Sequence, residues 1–303
     1  MAPESARARQ LLDPAVIARL GTLELKARTI VEGFLSGLHR SPFKGFSVEF
    51  AEYRQYIPGD DLSTIDWKVY ARSDRHYVKK FEEETNLDCH ILIDVSGSMA
   101  YGSRGLTKFE YAACLVSAIA YLMTRQRDAV GLMAFDQRIV EMLPASARPG
   151  HLRSLLVTLE RLRPGPGQTT DVSRPLHQLA DSLRKRGLVV LVSDLLDDPE
   201  AVLRGLKHFQ YRGTDVIVFH VLDPDELEFP FERATRFEDL ETSEEVMAVP
   251  GLVRAYYLRE INQLIDRYRR ELGAAGIDYQ LLRTTDPLEL ALLSYLSTRG
   301  RTA

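Results

Sequence analysis

Three oxygen-bearing side chains follow a short apolar segment in "HILIDVSGSMAYG" (residues 90–102). The apolar letters ILI predict a strand buried on both faces, and Asp94, Ser96 and Ser98 come directly after it. Carboxylate and hydroxyl oxygens without cysteine or histidine favour a hard cation such as Mg²⁺ or Mn²⁺. In such a site the two serine hydroxyls each offer an oxygen to one ion, while Asp94 supplies negative charge. This turn is therefore the first candidate functional site.

Further acidic and hydroxyl side chains follow other predicted strands. Asp136, Asp194 and Asp223 stand at or beside the ends of three of them, and the loop "GPGQTTD" (165–171) precedes a predicted helix. In an open α/β sheet, ligands bind beyond the carboxyl ends of the strands, near the point where the strand order reverses. We expect Asp136 and Asp223 to cap or terminate their strands, so both are left out of the site.

The elements that must position these side chains alternate between strand and helix from residue 87 onward. Continuous apolar strands alternating with helices indicate a parallel sheet covered on both faces. The predicted strands are "CHILID", "AVGLMAFD", "LVVLVSD", "DVIVFHVLD" and "DYQLLRT". The predicted helices cover residues 107–127, 149–163, 172–186, 199–208 and 253–273, with another from 286. The expected fold class is α/β, a doubly wound, mostly parallel sheet in which "RIVEML" (138–143) forms one antiparallel edge strand.

The other segments fall outside that alternation. Residues 14–38 carry apolar positions at helical spacing and predict one or two helices. Residues 41–85 contain short β-like pieces around a turn at "IPGDD", and residues 226–245 are acidic and predict an irregular surface excursion. We therefore expect a small N-terminal helical and β region over 1–85 and a main domain over 86–303.

Composition argues against several classes of protein. The chain has 303 residues and a formal net charge of −4, which gives no sign of a nucleic-acid binder. Its two cysteines, Cys89 and Cys114, fit small core residues in a reducing compartment. The N-terminus lacks the apolar stretch of a signal peptide, and no apolar run approaches the roughly 18 residues of a membrane span. We expect a cytoplasmic protein without a membrane span.

The turn and the later loops resemble a known metal site. "DVSGSM" resembles the DxSxS motif of the von Willebrand factor A (VWA) domain, whose metal-ion-dependent adhesion site (MIDAS) adds a threonine and an aspartate from two later loops. The resemblance implies that Asp94 is the anionic ligand of Mg²⁺ or Mn²⁺ and that Ser96 and Ser98 are neutral direct ligands. It also implies that Thr170 is a ligand whose engagement depends on state, and that Asp194 is an outer-sphere anchor.

The segment before the main domain resembles a second signature. The block "SPFKGFSVEFAEYRQYIPGDDLSTIDWKVYARSDRHYVKKFEEE" is similar to the signature of the DUF58 family, in which it precedes an A-type domain. Family members are often encoded beside AAA+ ATPases of the MoxR type. The resemblance therefore implies a protein partner of that type, or a client protein that offers an Asp or Glu carboxylate to the metal. The role of the 41–85 block stays open, including that of Asp60, Asp61, Asp66 and Trp67.

Several alternatives stay open. The aspartate and serine cluster also fits turn and helix-cap positions. Thr169 is a less favoured alternative to Thr170, while Asp197 or Asp198 competes for the role of Asp194. The competing functional class is a metal-dependent phosphoryl hydrolase that uses the same strand-end aspartates. The sequence shows no nucleophile–base pair, no serine-hydrolase elbow and no complete phosphate-binding loop, so we expect a binding module and not an enzyme.

Overall fold

The structure is a computed structural model that describes residues 14–40, 53–55, 77–79, 88–165, 172–183 and 187–302. Its strands are β1 (Tyr53–Gln55), β2 (Tyr77–Lys79), β3 (Asp88–Asp94), β4 (Ala129–Phe135), β5 (Ile139–Ser146), β6 (Leu188–Ser193), β7 (Asp215–Leu222), β8 (Thr235–Glu238), β9 (Glu245–Ala248) and β10 (Asp278–Arg283). Its α-helices are α1 (Pro14–Ala18), α2 (Leu23–Arg40), α3 (Lys108–Arg125), α4 (His151–Arg161), α5 (Ser173–Ser182), α6 (Pro199–Tyr211), α7 (Pro224–Glu228), α8 (Pro250–Ala274) and α9 (Glu289–Thr302).

Six of these strands form the central sheet, in the order β10-β7-β6-β3-β4-β5. β3 pairs in parallel with both β4 and β6, and β7 joins β6 to β10, again in parallel. β5 pairs antiparallel with β4 at one edge of the sheet. The predicted fold class is confirmed, since the sheet is mostly parallel and carries one antiparallel edge strand.

Helices cover both faces of the sheet. Buried side chains of α2, α3, α4 and α9 pack on one face together with Ile91 and Ile93 of β3. Side chains of α5, α6 and α8 pack on the other face together with Leu92. Successive residues of a strand point to opposite faces, so the part of a strand that is buried on both sides is apolar at consecutive positions, here Ile91, Leu92 and Ile93. This explains why β3 reads as a continuous apolar run and not as an alternating one.

The start of α3 is fixed by a capping box. The Thr107 side chain accepts a hydrogen bond from the Glu110 backbone N–H, and the Glu110 side chain accepts one from the Thr107 backbone N–H. Such a box satisfies two of the unpaired donors at a helix N-terminus. It therefore sets the position of Lys108, the first residue of α3, at the carboxyl edge of the sheet.

The predicted N-terminal helices are confirmed as α1 and α2. α2 packs against α3, and its residues Ile30, Val31 and Phe34 belong to the same buried cluster as the sheet residues on that face. None of the helices in the described ranges, α2 included, is long and apolar enough to cross a membrane.

The block between the N-terminal helices and β3 is described only in part. β1 and β2 pair antiparallel, as the β-like texture of the sequence predicts. The expected domain boundary between residues 85 and 86 lies outside the described residues. The same holds for the four residues of this block whose role the sequence leaves open, Asp60, Asp61, Asp66 and Trp67.

Residues 226–245 do not form the irregular excursion that the sequence predicts. β8 and β9 pair antiparallel as a separate two-stranded hairpin, with Glu238 opposite Glu245. Phe237 of β8 stacks on Phe229, with ring centroids 5.6 Å apart. The prediction is wrong because each strand has only four residues, too few for a clear alternating pattern.

The two cysteines are buried, as predicted. Burial raises the pKa of the Cys114 thiol to about 11, so the thiol stays protonated near neutral pH. A protonated, buried thiol behaves as a small apolar side chain and not as a nucleophile.

The packing of α2 on α3 predicts that the N-terminal helix contributes to global stability. Ile30→Ala removes a fully buried side chain and should lower the free energy of unfolding by about 2–5 kcal/mol. Leu25→Ala is the matched control, because Leu25 lies in the same helix with 47% of its surface exposed, and its effect should stay within about 0.5 kcal/mol. Urea unfolding followed by circular dichroism measures both; equal effects would contradict the packing.

Candidate metal centre at the carboxyl ends of the central strands

The central strands bring two aspartates to one edge of the sheet. β3 and β6 are parallel neighbours, with Ile93 opposite Val192, so both strands end at the same level. Asp94 closes β3, and Asp194 follows β6 directly. Both carboxylates are fully buried. The juxtaposition that the sequence predicts for these two residues is therefore present.

Asp94 accepts a hydrogen bond at each of its carboxylate oxygens. The Ser96 backbone N–H donates to Oδ1 at 2.9 Å, and the Ser193 hydroxyl donates to Oδ2 at 2.6 Å. Burial, together with the nearby charge of Asp194, nevertheless raises the pKa of Asp94 to about 7. Removing water and adding a like charge both disfavour the ionised form. A cation beside Asp94 would reverse this balance.

The two serine hydroxyls lie side by side after Asp94. Ser96 Oγ is 3.1 Å from Ser98 Oγ, and Ser96 is fully buried whereas Ser98 is partly exposed. Neighbouring ligands of an octahedral ion at 2.0–2.1 Å are about 3 Å apart, so the spacing of the hydroxyls fits Mg²⁺. Each carboxylate oxygen of Asp94 has a second lone pair for a metal. The donor set is therefore compatible with the ion that the sequence predicts.

This set relies on hydroxyls. Within the described ranges, no group of three or more His, Cys, Asp or Glu side chains is arranged so that it could hold a metal ion. A metal at this edge would therefore be bound by Asp94 together with the serines, and the donor chemistry remains that of a hard cation.

Asp194 is held by donors on several sides. Lys108 Nζ donates to its Oδ2 at 2.7 Å, the Leu196 backbone N–H donates to its Oδ1 at 3.3 Å, and Ser98 also forms a hydrogen bond with the carboxylate. Burial alone would raise the pKa of Asp194, but the charge of Lys108 and the donated hydrogen bonds outweigh it. The pKa is lowered, so Asp194 is an anion. Its contact with Ser98 links the two loops of the site.

His220 of β7 fixes the backbone of Asp194. Its Nε2 lies 2.7 Å from the Asp194 carbonyl oxygen, and its Nδ1 lies 2.7 Å from the Tyr279 hydroxyl. A carbonyl only accepts, so Nε2 carries the proton and Nδ1 accepts from Tyr279. Burial lowers the pKa of His220 to about 4, and the ring is neutral near pH 7.

Lys108 is the principal cation of the site. It is fully buried, and its Nζ donates to Asp194 at 2.7 Å and to Glu226 Oε1 at 2.6 Å. Burial would lower its pKa, but the two carboxylates hold the pKa above its usual value. A buried ammonium is tolerated only when paired. Lys108 therefore compensates much of the negative charge that the strand ends collect.

The other sequence-predicted positions have different outcomes. Thr170 and its alternative Thr169 lie outside the described residues. Asp198 caps α6, and Asp197 Oδ2 accepts the Val172 backbone N–H at 2.8 Å. Neither of these two aspartates takes the position of Asp194 beside Lys108.

The two strand-end aspartates that the sequence leaves out of the site accept hydrogen bonds from backbone N–H groups and hydroxyls. Asp223 caps α7 and accepts hydrogen bonds from Ser103 and Thr284. Asp136 Oδ1 accepts the Arg138 backbone N–H at 2.9 Å. The prediction that both cap or terminate strands is confirmed.

Sequence reasoning missed Lys108, Ser193 and Glu226. A signal for Lys108 existed, because a lysine in the first turn of a helix opposes the helix macrodipole and needs a nearby anion. Ser193 stands directly before Asp194 in "LVVLVSD", at the strand end that faces Asp94. Nothing in the local pattern connects Glu226 with Lys108, since 118 positions separate them.

Comparison with known proteins gives a family and a fold. A model of the family described as "Protein of unknown function DUF58" matches residues 52–263. The uncharacterized protein Rv1480 of Mycobacterium tuberculosis (strain ATCC 25618 / H37Rv) is 30% identical over 219 residues, which are 72% of this chain and 68% of that protein.

Among solved structures, the conserved hypothetical protein BatB from Bacteroides thetaiotaomicron has a TM-score of 0.50 at 17% identity, over 72% of this chain and 100% of that chain. The SpRpn10 VWA domain has a TM-score of 0.41 at 14% identity, over 70% of this chain and 94% of that chain. The similarity to BatB concerns the fold.

The buried ion pair predicts a large stability effect at Lys108. Lys108→Met leaves Asp194 and Glu226 without their counter-charge and should lower the free energy of unfolding by about 3–5 kcal/mol. Lys207→Met is the matched control, because Lys207 pairs with Glu271 at 3.6 Å on the surface, and it should cost less than about 1 kcal/mol. Urea unfolding at pH 7 measures both, and similar losses for the two variants would rule out the role assigned to Lys108.

Proposed function

The chain belongs to the DUF58 family, and from this premise we propose that it is a protein-binding module with a divalent metal site of the MIDAS type. The metal is Mg²⁺ or Mn²⁺, and the partner offers an Asp or Glu carboxylate to it. The partner class is a MoxR-type AAA+ ATPase or a client protein handled with it. The module serves the assembly or maturation of other proteins.

One observation carries the proposal. Asp94, Ser96 and Ser98 lie on one turn at the carboxyl edge of a parallel sheet, with the two hydroxyl oxygens 3.1 Å apart. Asp194 reaches the same turn through its hydrogen bond with Ser98. Ligands of open α/β sheets bind at this edge. The residues are few, oxygen-only and convergent, as a hard cation requires.

Each residue then has a distinct role. Asp94 is the anionic ligand, and Ser96 and Ser98 are neutral direct ligands. Asp194 is the outer-sphere anchor, held by Lys108 at 2.7 Å. Thr170 is the proposed ligand from the later loop, with an engagement that depends on state.

The charge balance of the site favours a carboxylate from outside. Lys108 offsets the charge of Asp194, so Asp94 is the main negative charge facing the ion. A divalent cation with so little protein charge around it stays strongly electrophilic, and an added carboxylate binds it with real affinity. A site with three or four carboxylates of its own would repel such a partner.

The hydrolase alternative is less well supported by the same residues. Both oxygens of Asp94 already accept hydrogen bonds, and its side chain is fully buried. A carboxylate in that position is well placed to hold an ion and poorly placed to attack a phosphorus atom. The binding function is therefore the one that we adopt.

Metal binding is the first test of the proposal. Calorimetric titration of the wild type with Mg²⁺ and Mn²⁺ should give saturable binding to one site, because the donor set is complete enough to hold an ion. The double variant with Asp94→Asn and Ser96→Ala should lose at least about tenfold in affinity, since it removes the charge and one hydroxyl ligand. Asp136→Asn is the matched control, being a strand-end aspartate outside the site, and it should bind like the wild type.

The titration distinguishes a metal site from a turn that serves only as a structural cap. Metal binding that is identical in the wild type and the double variant would place the ion elsewhere. No binding in the wild type would leave the turn as a structural cap alone. Circular dichroism must show that the double variant is folded, so that its loss of affinity reports on the site.

Partner binding is the second test. A purified MoxR-type ATPase from the same organism should be retained by the immobilised protein in Mg²⁺ and released by a chelator, since the metal bridges the two. The Asp94→Asn and Ser96→Ala double variant should not retain it. If the ATPase is retained equally with and without chelator, and equally by the wild type and the double variant, the metal does not bridge the two proteins. Phosphate release from generic phosphoesters, lost in Asp94→Asn, would instead support the hydrolase.

A further inference from the structure

The tip of the hairpin formed by β8 and β9 lies close to the turn of the candidate metal centre. A β-carbon placed on Gly97 would lie 2.6 Å from the carbonyl oxygen of Leu240 and 3.0 Å from that of Gly165. These distances are too short for a carbon–oxygen contact, so only glycine allows the backbones to approach this closely. Gly97 stands between Ser96 and Ser98. The tip of the hairpin therefore lies directly against the turn that carries both hydroxyls.

The tip is preformed by its own hydrogen bonds. Asp239 Oδ1 accepts the backbone N–H of Glu241 at 2.7 Å and that of Thr242 at 3.1 Å. The Asp239 backbone N–H donates to the Glu244 carbonyl at 2.9 Å. The two backbone donors to the carboxylate lower the pKa of Asp239. This turn fixes the Leu240 carbonyl in the position that faces Gly97.

The base and the tip of the hairpin are held differently. At the base, Phe237 stacks on Phe229, and Phe229 contacts Tyr257 of α8 with ring centroids 4.7 Å apart. In the tip, Leu240 is 37% exposed, and residues 242–244 are exposed as well. Segments with little buried apolar surface open at low free-energy cost. The tip can therefore leave the turn while the base stays packed.

The chemistry of the tip matches that of the ligand which the site is proposed to bind. Its sequence, "DLETSE" (239–244), is acidic, and a carboxylate-bearing segment is the expected partner. Ser98, the partly exposed hydroxyl, directly follows the glycine against which the tip rests. A partner that approaches an ion at Ser98 would therefore pass next to the hairpin tip.

We infer that the β8–β9 hairpin is an intramolecular cover of the metal site, which a partner's acidic segment must displace in order to bind. This inference rests on the proposed function for its consequence, but the contact itself does not. A cover that is closed about 90% of the time lowers the apparent affinity of the partner about tenfold. Binding is thereby reserved for partners that also hold the hairpin open.

The main test variant shortens the hairpin. Residues 239–244 are replaced by Asn-Gly, because Glu238 lies opposite Glu245 and a two-residue turn of this kind closes such a pair. Asp239→Ala is the second variant and loosens the turn without shortening it. Met247→Ala is the matched control, since Met247 is an exposed hairpin residue away from the tip.

The first measurement needs neither metal nor partner. Hydrogen exchange of the full-length protein, read by mass spectrometry over residues 95–99, should be about tenfold faster in the shortened variant. Asp239→Ala should give a smaller increase, and Met247→Ala should leave the rate unchanged. Unchanged exchange in both of the first two variants would show that the hairpin does not shield the turn and would overturn the inference.

The second measurement asks whether the cover excludes a carboxylate. The probe is a blocked Gly-Glu-Gly peptide, and the signal is the relaxation of its glutamate γ-protons by protein-bound Mn²⁺. At equal bound Mn²⁺, the enhancement should rise about fivefold or more in the shortened variant. Equal enhancement in all variants would overturn the inference. Absence of Mn²⁺ binding in every variant would refute the proposed function instead, and the exchange rates alone would then decide whether the hairpin covers the turn.

Discussion

Buried charge is the constraint on which this structure depends. The carboxyl ends of β3 and β6 place Asp94 and Asp194 side by side without access to water, and such groups are costly unless they are paired. Lys108 forms an ion pair with Asp194, while Ser96 and Ser193 donate hydrogen bonds to Asp94. The capping box of Thr107 and Glu110 fixes the start of the helix that carries Lys108. Glu226 holds the ammonium group itself through a second ion pair.

Incomplete compensation gives the site its chemistry. The Lys108 ammonium donates to Asp194 and Glu226. The hydrogen bonds to Asp94 come instead from Ser96 and Ser193. Burial, and after it the nearby charge of Asp194, raises the pKa of Asp94 to about 7. A divalent cation would complete the balance, and two hydroxyls already stand at the spacing that it needs. The site is therefore poised between a structural cap and a metal centre.

The glycine between the two serines has a second consequence. Because Gly97 has no side chain, the backbone of the hairpin tip can approach the turn between the two serines. This contact joins the turn to a segment more than a hundred positions away.

Much of the fold and part of the site could be predicted from the sequence. Continuous apolar runs identified β3 and β6, because a stretch of strand buried on both faces is mostly apolar. The residues at the end of β3 identified Asp94, Ser96 and Ser98 as candidates. The hairpin over 235–248 escaped prediction, since each of its strands has only four residues. Thr170 stays a prediction, because it lies outside the described residues.

The sequence by itself determined the order of strands and helices along the chain and the oxygen donors on one turn. Only the tertiary structure decided which charges meet. Lys108 forms ion pairs with Asp194 and Glu226, which are 86 and 118 positions away in the sequence. The Leu240 carbonyl lies against Gly97. Local periodicity reports which face of an element is buried, whereas contacts between the ends of different elements depend on how the whole sheet assembles.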